Sequence, residues 1–588
     1  MRRAWVGVGV ALSLHLVTAP QDAQACGGTF CDSVTSMPVA QTGESILFVR
    51  GDGWIETHIQ IEYDPTAQAT EFAWLVPVMA QPELSVGSAN FFSALEMSTA
   101  PNYGFSARGQ PCPNWGDDDG CDGSGDGGGV DEKLDIAGGG DGPNVVDHRV
   151  VGAFEMFVLD GGTPQGVMDW LGDNEFEQDP AAAPIIAEYL DEGFMFVAFK
   201  LANDAEASEI HPVVLRYAGE EPCVPIRLTR IAAVDDMVIR TYFLTEDRAV
   251  PTNYQHVELN PLKLDFLRSG ANYAEVLSMA IDEAGGHAWV TEYAGDSRDV
   301  PMDDVPESSW ELDGLVGLDA SDTVRAVFEQ GWVSCDWREC TWQSPLLEAT
   351  LMRWLPAGPD FDFEALWQCP ECETPLFDEN PERWDSDGFL ADLDERVVAP
   401  AKHGKDLLDA WPTLTRMVTT LSPREMTVDP LFHENPDLPD VINTQELGGF
   451  NLFCNGDVSF NLPDGRLLAT PGGAWPDVAP SEMPWAARVE TIAEAGAPQV
   501  VVDNHELIET LRKAFNVENN ARTPLWLACG DDSEPSVEED TGIGSAGADE
   551  SRPVSCACTS GTTGGFAWLM LGLPLTFFGA RRHRWTNR

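Results

Sequence analysis

The chain has 588 residues, enough for two to four domains, and 43% of them are hydrophobic, which suits packed cores and excludes global disorder. Its 97 acidic residues stand against 34 basic ones, for a formal net charge of −63. So negative a surface repels nucleic acid and anionic lipid and attracts cations, and nucleic acid is excluded as a partner.

Residues 1–25 read as an export signal. Arg2 and Arg3 precede an apolar stretch from Ala4 to Ala19, and Ala23-Gln24-Ala25 supplies a small-x-small site that predicts cleavage between Ala25 and Cys26. ILFVR (46–50) and WIETHIQIEY (54–63) form a hairpin around Gly51-Asp52-Gly53. In the second run Ile55, Thr57, Ile59, Ile61 and Tyr63 share one face, and Glu56, His58, Gln60 and Glu62 share the other. That alternation predicts a half-buried antiparallel strand. TEFAWLVPV (70–78) is the next strand, stopped by Pro77, and 91–101 is a short helix.

Residues 109–143, rich in Gly and Asp, bury too little apolar surface to order themselves and read as a flexible surface insertion. Structure resumes at VVGAFEMFVL (150–159). Helices around Gly166–Leu171 and Ala183–Glu192 follow, then strands at 194–201, 211–217, 225–231 and 237–244. The connections are too short for regular βαβ crossovers, so the predicted class is α+β with a mainly antiparallel sheet.

From about residue 260 the pattern turns helical, over Ala271–Glu283, Ser321–Glu329, Leu346–Trp354, Lys402–Leu421 and Asn504–Phe515. Pro412 kinks or divides the fourth of these. Residues 530–555 are an acidic linker. An apolar segment, Phe566–Ala580, precedes Arg581, Arg582 and Arg584. The expected plan is therefore a signal (1–25), a strand-rich part (26–260), a helix-rich part (261–529), an acidic linker (530–555) and a tail (556–588) with one hydrophobic helix.

Thirteen cysteines agree with an oxidising compartment. The near pairs Cys26/Cys31, Cys112/Cys121, Cys335/Cys340 and Cys369/Cys372 are read first as disulfides, although spacing alone does not set connectivity. Cys369-Pro-Glu-Cys372 also has redox spacing, but no strand-to-helix junction surrounds it. With Cys335 and Cys340 it is a loose match to a four-thiolate zinc site. Cys26 could instead accept lipid, but the preceding Ala23-Gln24-Ala25 lacks the usual large apolar residue. Asp122, Ser124 and Asp126, followed by Gly127, match the opening of a calcium loop. Lys133 stands where the loop's bidentate Glu belongs, so calcium is at most a weak ligand and no other cofactor is expected. The chain has no zinc-protease, nucleophile-elbow or phosphate-loop motif.

CGGTFC, FAWLVPV, VVGAFEMFVLDGGTPQGVMDWL with FMFVAFKL, PIRLTRIAA and LTRMVTTLSPREMTVDPLF occur in that order and resemble the bacterial domain of unknown function 2330, over roughly residues 26–435. The resemblance implies an exported protein and carries no activity. The tail resembles the myxobacterial C-terminal sorting signal, in which a Cys motif, here Cys556 and Cys558, marks processing and anchoring. That implies a sorting protease and the membrane as partners and an outer-membrane-associated cell surface as destination. The expected function is a structural, adhesive or binding role at the envelope, of unknown ligand. The alternatives are an envelope hydrolase whose site is scattered in sequence, or a thiol–disulfide protein using Cys369 and Cys372.

Overall fold

The computed structural model describes residues 29–31, 41–63, 72–105, 142–174, 176, 179–201, 209–335, 340–357, 361–370, 383–452 and 458–519. These belong to one compact unit, which spans residues 1–527. Its centre is a ten-stranded sheet. In chain order the strands are β1 (Gln41–Gly51), β2 (Trp54–Tyr63), β3 (Glu83–Val86), β4 (Val213–Ala218), β5 (Ala233–Thr245), β6 (Gln255–Leu259), β7 (Ala288–Asp296), β8 (Thr413–Leu421), β9 (Ala486–Thr491) and β10 (Gln499–Asp503). They lie side by side as β10-β9-β6-β7-β8-β5-β1-β2-β4-β3. Only β1–β5 and β6–β7 pair in parallel, so the predicted mixed α and β content with a largely antiparallel sheet is what the chain forms.

The β1–β2 hairpin turns through Asp52-Gly53, with Gly51 opposite Trp54. Gly53 takes a positive φ of 75°, which a two-residue turn requires and which only glycine adopts without strain. The run Ile46, Leu47, Phe48, Val49 is buried throughout, because both faces of β1 are covered. Ile46 and Phe48 join Ile55, Ile59, Ile239 and Phe243 in a core shared with Trp74, Val76, Met156, Val158, Val197 and Phe199. The latter six come from a five-stranded sheet ordered 29–31, 72–78, 195–201, 154–160, 144–151. On the opposite face Leu47 and Val49 meet Phe91, Phe92 and Leu95 of α1 (Ala89–Thr99) and Leu407 and Leu408 of α3 (Ala399–Ala410). The helices Pro164–Asp173 and Ala182–Asp191 cover the outer face of the smaller sheet through Val167, Leu171, Ile185 and Ile186. The stack is thus helix, sheet, sheet, helix. A further helix, α2 (Tyr273–Glu283), packs Leu277 and Ile281 on Val257, Val290 and Val418.

Several predicted elements change type. The helix expected over Lys402–Leu421 stops at Ala410, and Thr413–Leu421 becomes strand β8 at the middle of the sheet. Pro412 marks that change, since it cannot continue the helix. Its β-branched neighbours Thr413, Thr415, Val418, Thr419 and Thr420 suit a pleat. Residues 225–231, expected as a strand, hold a short helix, Ile226–Thr229. The strand at 72–78 continues through Pro77, because the short strand Thr29–Cys31 pairs only with Phe72–Trp74 and leaves the far edge without a donor to lose. The second part of the chain is also less helical than its pattern suggests, since it supplies β7 to β10 to the central sheet. Its helices between Ala320 and Leu393 gather in a separate core around Trp310, Trp332, Leu347, Leu351, Leu366 and Phe389.

Cys335 and Cys340 form a disulfide across a two-stranded ribbon, which removes two of the four thiolates that a zinc site would need. Cys369 is disulfide-bonded as well. Cys31 ends the strand that pairs with Phe72. Ala25, Cys26, Cys112, Cys121, Asp122, Ser124, Asp126, Cys372, Cys556 and Cys558 lie outside the described residues. Among the described residues no helix is long and apolar enough to cross a membrane.

Candidate functional site

Beside the C-terminal end of α1 the sheet surface carries a cavity of about 490 Å³, lined by Tyr103, Arg248, His256, Thr291, Glu292 and Glu490 among others. The strand pattern explains how these side chains meet. β6 and β9 run antiparallel with His256 opposite Glu490 and Glu258 opposite Arg488. Their intervening residues, Val257 and Val489, point to the α2 core. Directly opposed side chains on such a pair sit about 5 Å apart at Cβ, which accounts for His256 Nδ1 lying 3.1 Å from Glu490 Oε1 and for the 3.1 Å Arg488–Glu258 ion pair. β7 contributes through a bulge. Thr291 and Tyr293 face the consecutive residues Met417 and Arg416 of β8, so Glu292 is the extra residue. A bulge breaks the alternation of faces, and consecutive Thr291 and Glu292 both line the cavity.

The polar contacts form a directed chain. Glu490, as a carboxylate, only accepts, so His256 donates from Nδ1, and in the Nδ1–H tautomer Nε2 is the acceptor. The Thr291 hydroxyl is 3.0 Å from that Nε2 and donates to it. Arg248 Nη2 donates to the same hydroxyl oxygen at 3.1 Å, and Nη1 donates to the Pro439 carbonyl. Arg248 Nε is buried with no hydrogen-bond partner. Among the described residues no carboxylate lies within ion-pairing distance of this guanidinium. Burial pushes its pKa below the ordinary arginine value, only partly offset by the charges of Glu490 and Asp440. Burial also pushes the Glu490 carboxyl up, but its hydrogen bond to His256 and the nearby charges of Arg488 and Arg248 outweigh that and hold it below the usual range.

Behind the cavity Arg416 of β8 is buried between Glu292 and Glu96, with Nη1 2.8 Å from Glu96 Oε2. Tyr242 donates to Glu96 and Tyr273 donates to Glu292. Burial and the Glu292 charge raise the Tyr103 and Tyr273 hydroxyl pKa values above the usual phenol range, so both remain protonated donors.

None of the sequence-predicted site residues lies in this cavity. Its own residues are scattered along the chain between Pro101 and Pro498, with no linear motif. The one local signal is QHVEL (255–259), where His256 and Glu258 share the polar face of a short strand.

The fold and site define a two-sheet α+β protein with a polar pocket on its central sheet. Residues 20–323 match the family described as an uncharacterized protein conserved in bacteria (DUF2330), and the chain belongs to that family. No curated protein matches the chain. Among solved structures it is similar to a mutated baculovirus P35 after caspase cleavage, with 7% identity, a TM-score of 0.22, and coverage of 37% of this chain and 76% of that one. It is likewise similar to baculovirus P35 at 8% identity and a TM-score of 0.22, with coverage of 38% and 75%.

Proposed function

We propose that the chain is an exported binding protein held at the cell envelope, and that the cavity over β6, β7 and β9 takes a small carboxylate-bearing ligand. The observation that carries the reading is Arg248, a half-buried guanidinium lining a cavity with its Nε unbonded in a chain of net charge −63. Buried charges are ordinarily paired, and a guanidinium matches a carboxylate in two-pronged geometry. Export is supported by the signal-like residues 1–25, the Cys-bearing tail with Arg581, Arg582 and Arg584, and the disulfide chemistry at Cys335–Cys340.

The test is a thermal-shift and tryptophan-fluorescence screen of mono- and dicarboxylates against their neutral amides. Acids that stabilise the wild type but not Arg248→Met support the reading. A wild type that responds to no acid, or a variant that responds equally, refutes it. The intact mass of the protein from its native envelope tests export: a species beginning at Cys26 supports it and one retaining Met1 overturns it.

A second reading rests on the Thr291–His256–Glu490 chain of hydrogen bonds, which has the connectivity of a nucleophile, a general base and an orienting acid. In that reading His256 takes the Thr291 proton as the hydroxyl attacks an ester carbonyl, and Arg248 stabilises the resulting oxyanion. Hydrolysis of p-nitrophenyl esters that survives Thr291→Ser but is lost in Thr291→Val and His256→Gln supports it. Rates unchanged in Thr291→Val remove it.

A further inference from the structure

The polar face of β2 is not solvated. Glu56 and His58 are each only 2% exposed, buried beneath α1 and α3 on the sheet face away from the sheet–sheet core. Glu56 Oε1 lies 2.9 Å from His58 Nε2 and 2.6 Å from His403 Nε2. The three ligand atoms all fall within 4.8 Å of one another. The two imidazoles lie nearly parallel, with ring centroids 5.8 Å apart. His403 reaches this point because Gly404 lets α3 close on α1: a Cβ there would sit 2.8 Å from the Phe91 ring.

We propose that Glu56, His58 and His403 bind one divalent transition-metal ion, zinc by its chemistry. Two imidazoles and one carboxylate are a recurrent zinc donor set, with ligands about 2.0–2.2 Å from the metal. Tetrahedral ligands at that radius stand roughly 3.3 Å apart, so Glu56 Oε1 needs to draw back from the two ring nitrogens by only about 0.4 and about 0.7 Å. The carboxylate is already oriented for the task. Oε1 faces both rings, and Oε2 faces Arg216 Nη1 at 3.6 Å. Arg216 is the cross-strand partner of Glu56 and is stacked on Trp54 at 3.8 Å. An outer group that holds the second oxygen of a ligating carboxylate is a usual companion of a metal site. The site is closed on the sheet side, where Glu56 and His58 are buried, and open on the other, where the His403 side chain is 41% exposed. Three protein ligands leave a fourth coordination position for solvent or a ligand.

The site is separate from the cavity on β6, β7 and β9 and shares no residue with it. The test uses the full-length chain, purified without a histidine tag, stripped with a chelator and titrated with cobalt(II) and zinc(II). The expected result is one equivalent of cobalt(II) giving an intense tetrahedral-type visible spectrum, displaced by zinc, with a rise in thermal midpoint. His403→Asn, at a half-exposed position that tolerates change, abolishes the spectrum while the circular dichroism is retained. Glu56→Gln abolishes it as well, and Arg216→Gln weakens binding by about 10- to 100-fold. A wild type with no stoichiometric spectrum overturns the proposal. So does a spectrum undiminished in His403→Asn, because the ion then sits elsewhere on the acidic surface.

Discussion

His211 joins the two sheets, and its protonation is the acid-sensitive point of the fold. The ring is fully buried in a polar cradle. It accepts from the Ala153 backbone N–H through Nε2 at 3.0 Å and donates from Nδ1 to the Pro212 carbonyl at 2.7 Å. Phe154 packs edge-on against it. Gly152 leaves the space, since a Cβ there would lie 2.1 Å from Nε2. Both ring nitrogens are therefore committed to the neutral tautomer, and burial, with a smaller contribution from the Arg396 charge, lowers the pKa from 6.5 to about 4. The unfolded chain takes up a proton that the folded ring refuses. Stability from this group is thus complete above pH 6.5 and is lost as the pH falls toward 4. At about 1.4 kcal/mol per unit, the loss is roughly 2 kcal/mol by pH 5 and about 3 kcal/mol by pH 4. Denaturant unfolding at pH 7.5, 6 and 5 measures it. His211→Gln lowers stability at every pH through its lost contacts, but its further loss between pH 7.5 and 5 should be smaller than wild type's by about 2 kcal/mol. Equal losses in the two proteins would refute the reasoning.

Trp289 is fully buried and edge-on to Phe432, with its indole N–H unpartnered. Trp289→Ala should cost about 3–5 kcal/mol in denaturant unfolding. Trp289→Phe, which also removes the unsatisfied donor, should cost less than half of that. Arg416→Met strands Glu292 without its buried partner and should cost about 3–5 kcal/mol, whereas Arg416→Met with Glu292→Gln recovers a measurable part in a double-mutant cycle. Gly404→Ala drives a methyl group into Phe91 and should lower stability by about 1–3 kcal/mol. If it also lowers cobalt(II) affinity, the approach of α3 is what positions His403.

The sequence by itself determined the local elements whose pattern and punctuation agree. The β1–β2 hairpin follows from alternation and Asp52-Gly53, and the helix expected over Ser321–Glu329 forms as Ala320–Glu329, where the structure adds a cap in which the Asp319 side chain accepts from the Asp322 N–H. The DUF2330 family was also legible in its ordered motifs. Tertiary structure decided everything that depends on what covers a face. The polar side of β2 alternates like a solvated edge, yet α1 and α3 bury it and bring His403 to Glu56 and His58 across 347 positions. Thr413–Leu421 carries helix-like spacing, but flanked on both sides by strands it gains ladder hydrogen bonds that a helix after Pro412 would not match. The pocket arises the same way: Arg248, His256, Thr291 and Glu490 are unremarkable singly, and only strand register and one bulge make them neighbours. Periodicity records which side chains share a face of an element. It holds no record of which element will lie across from that face, and both candidate sites are built from such meetings.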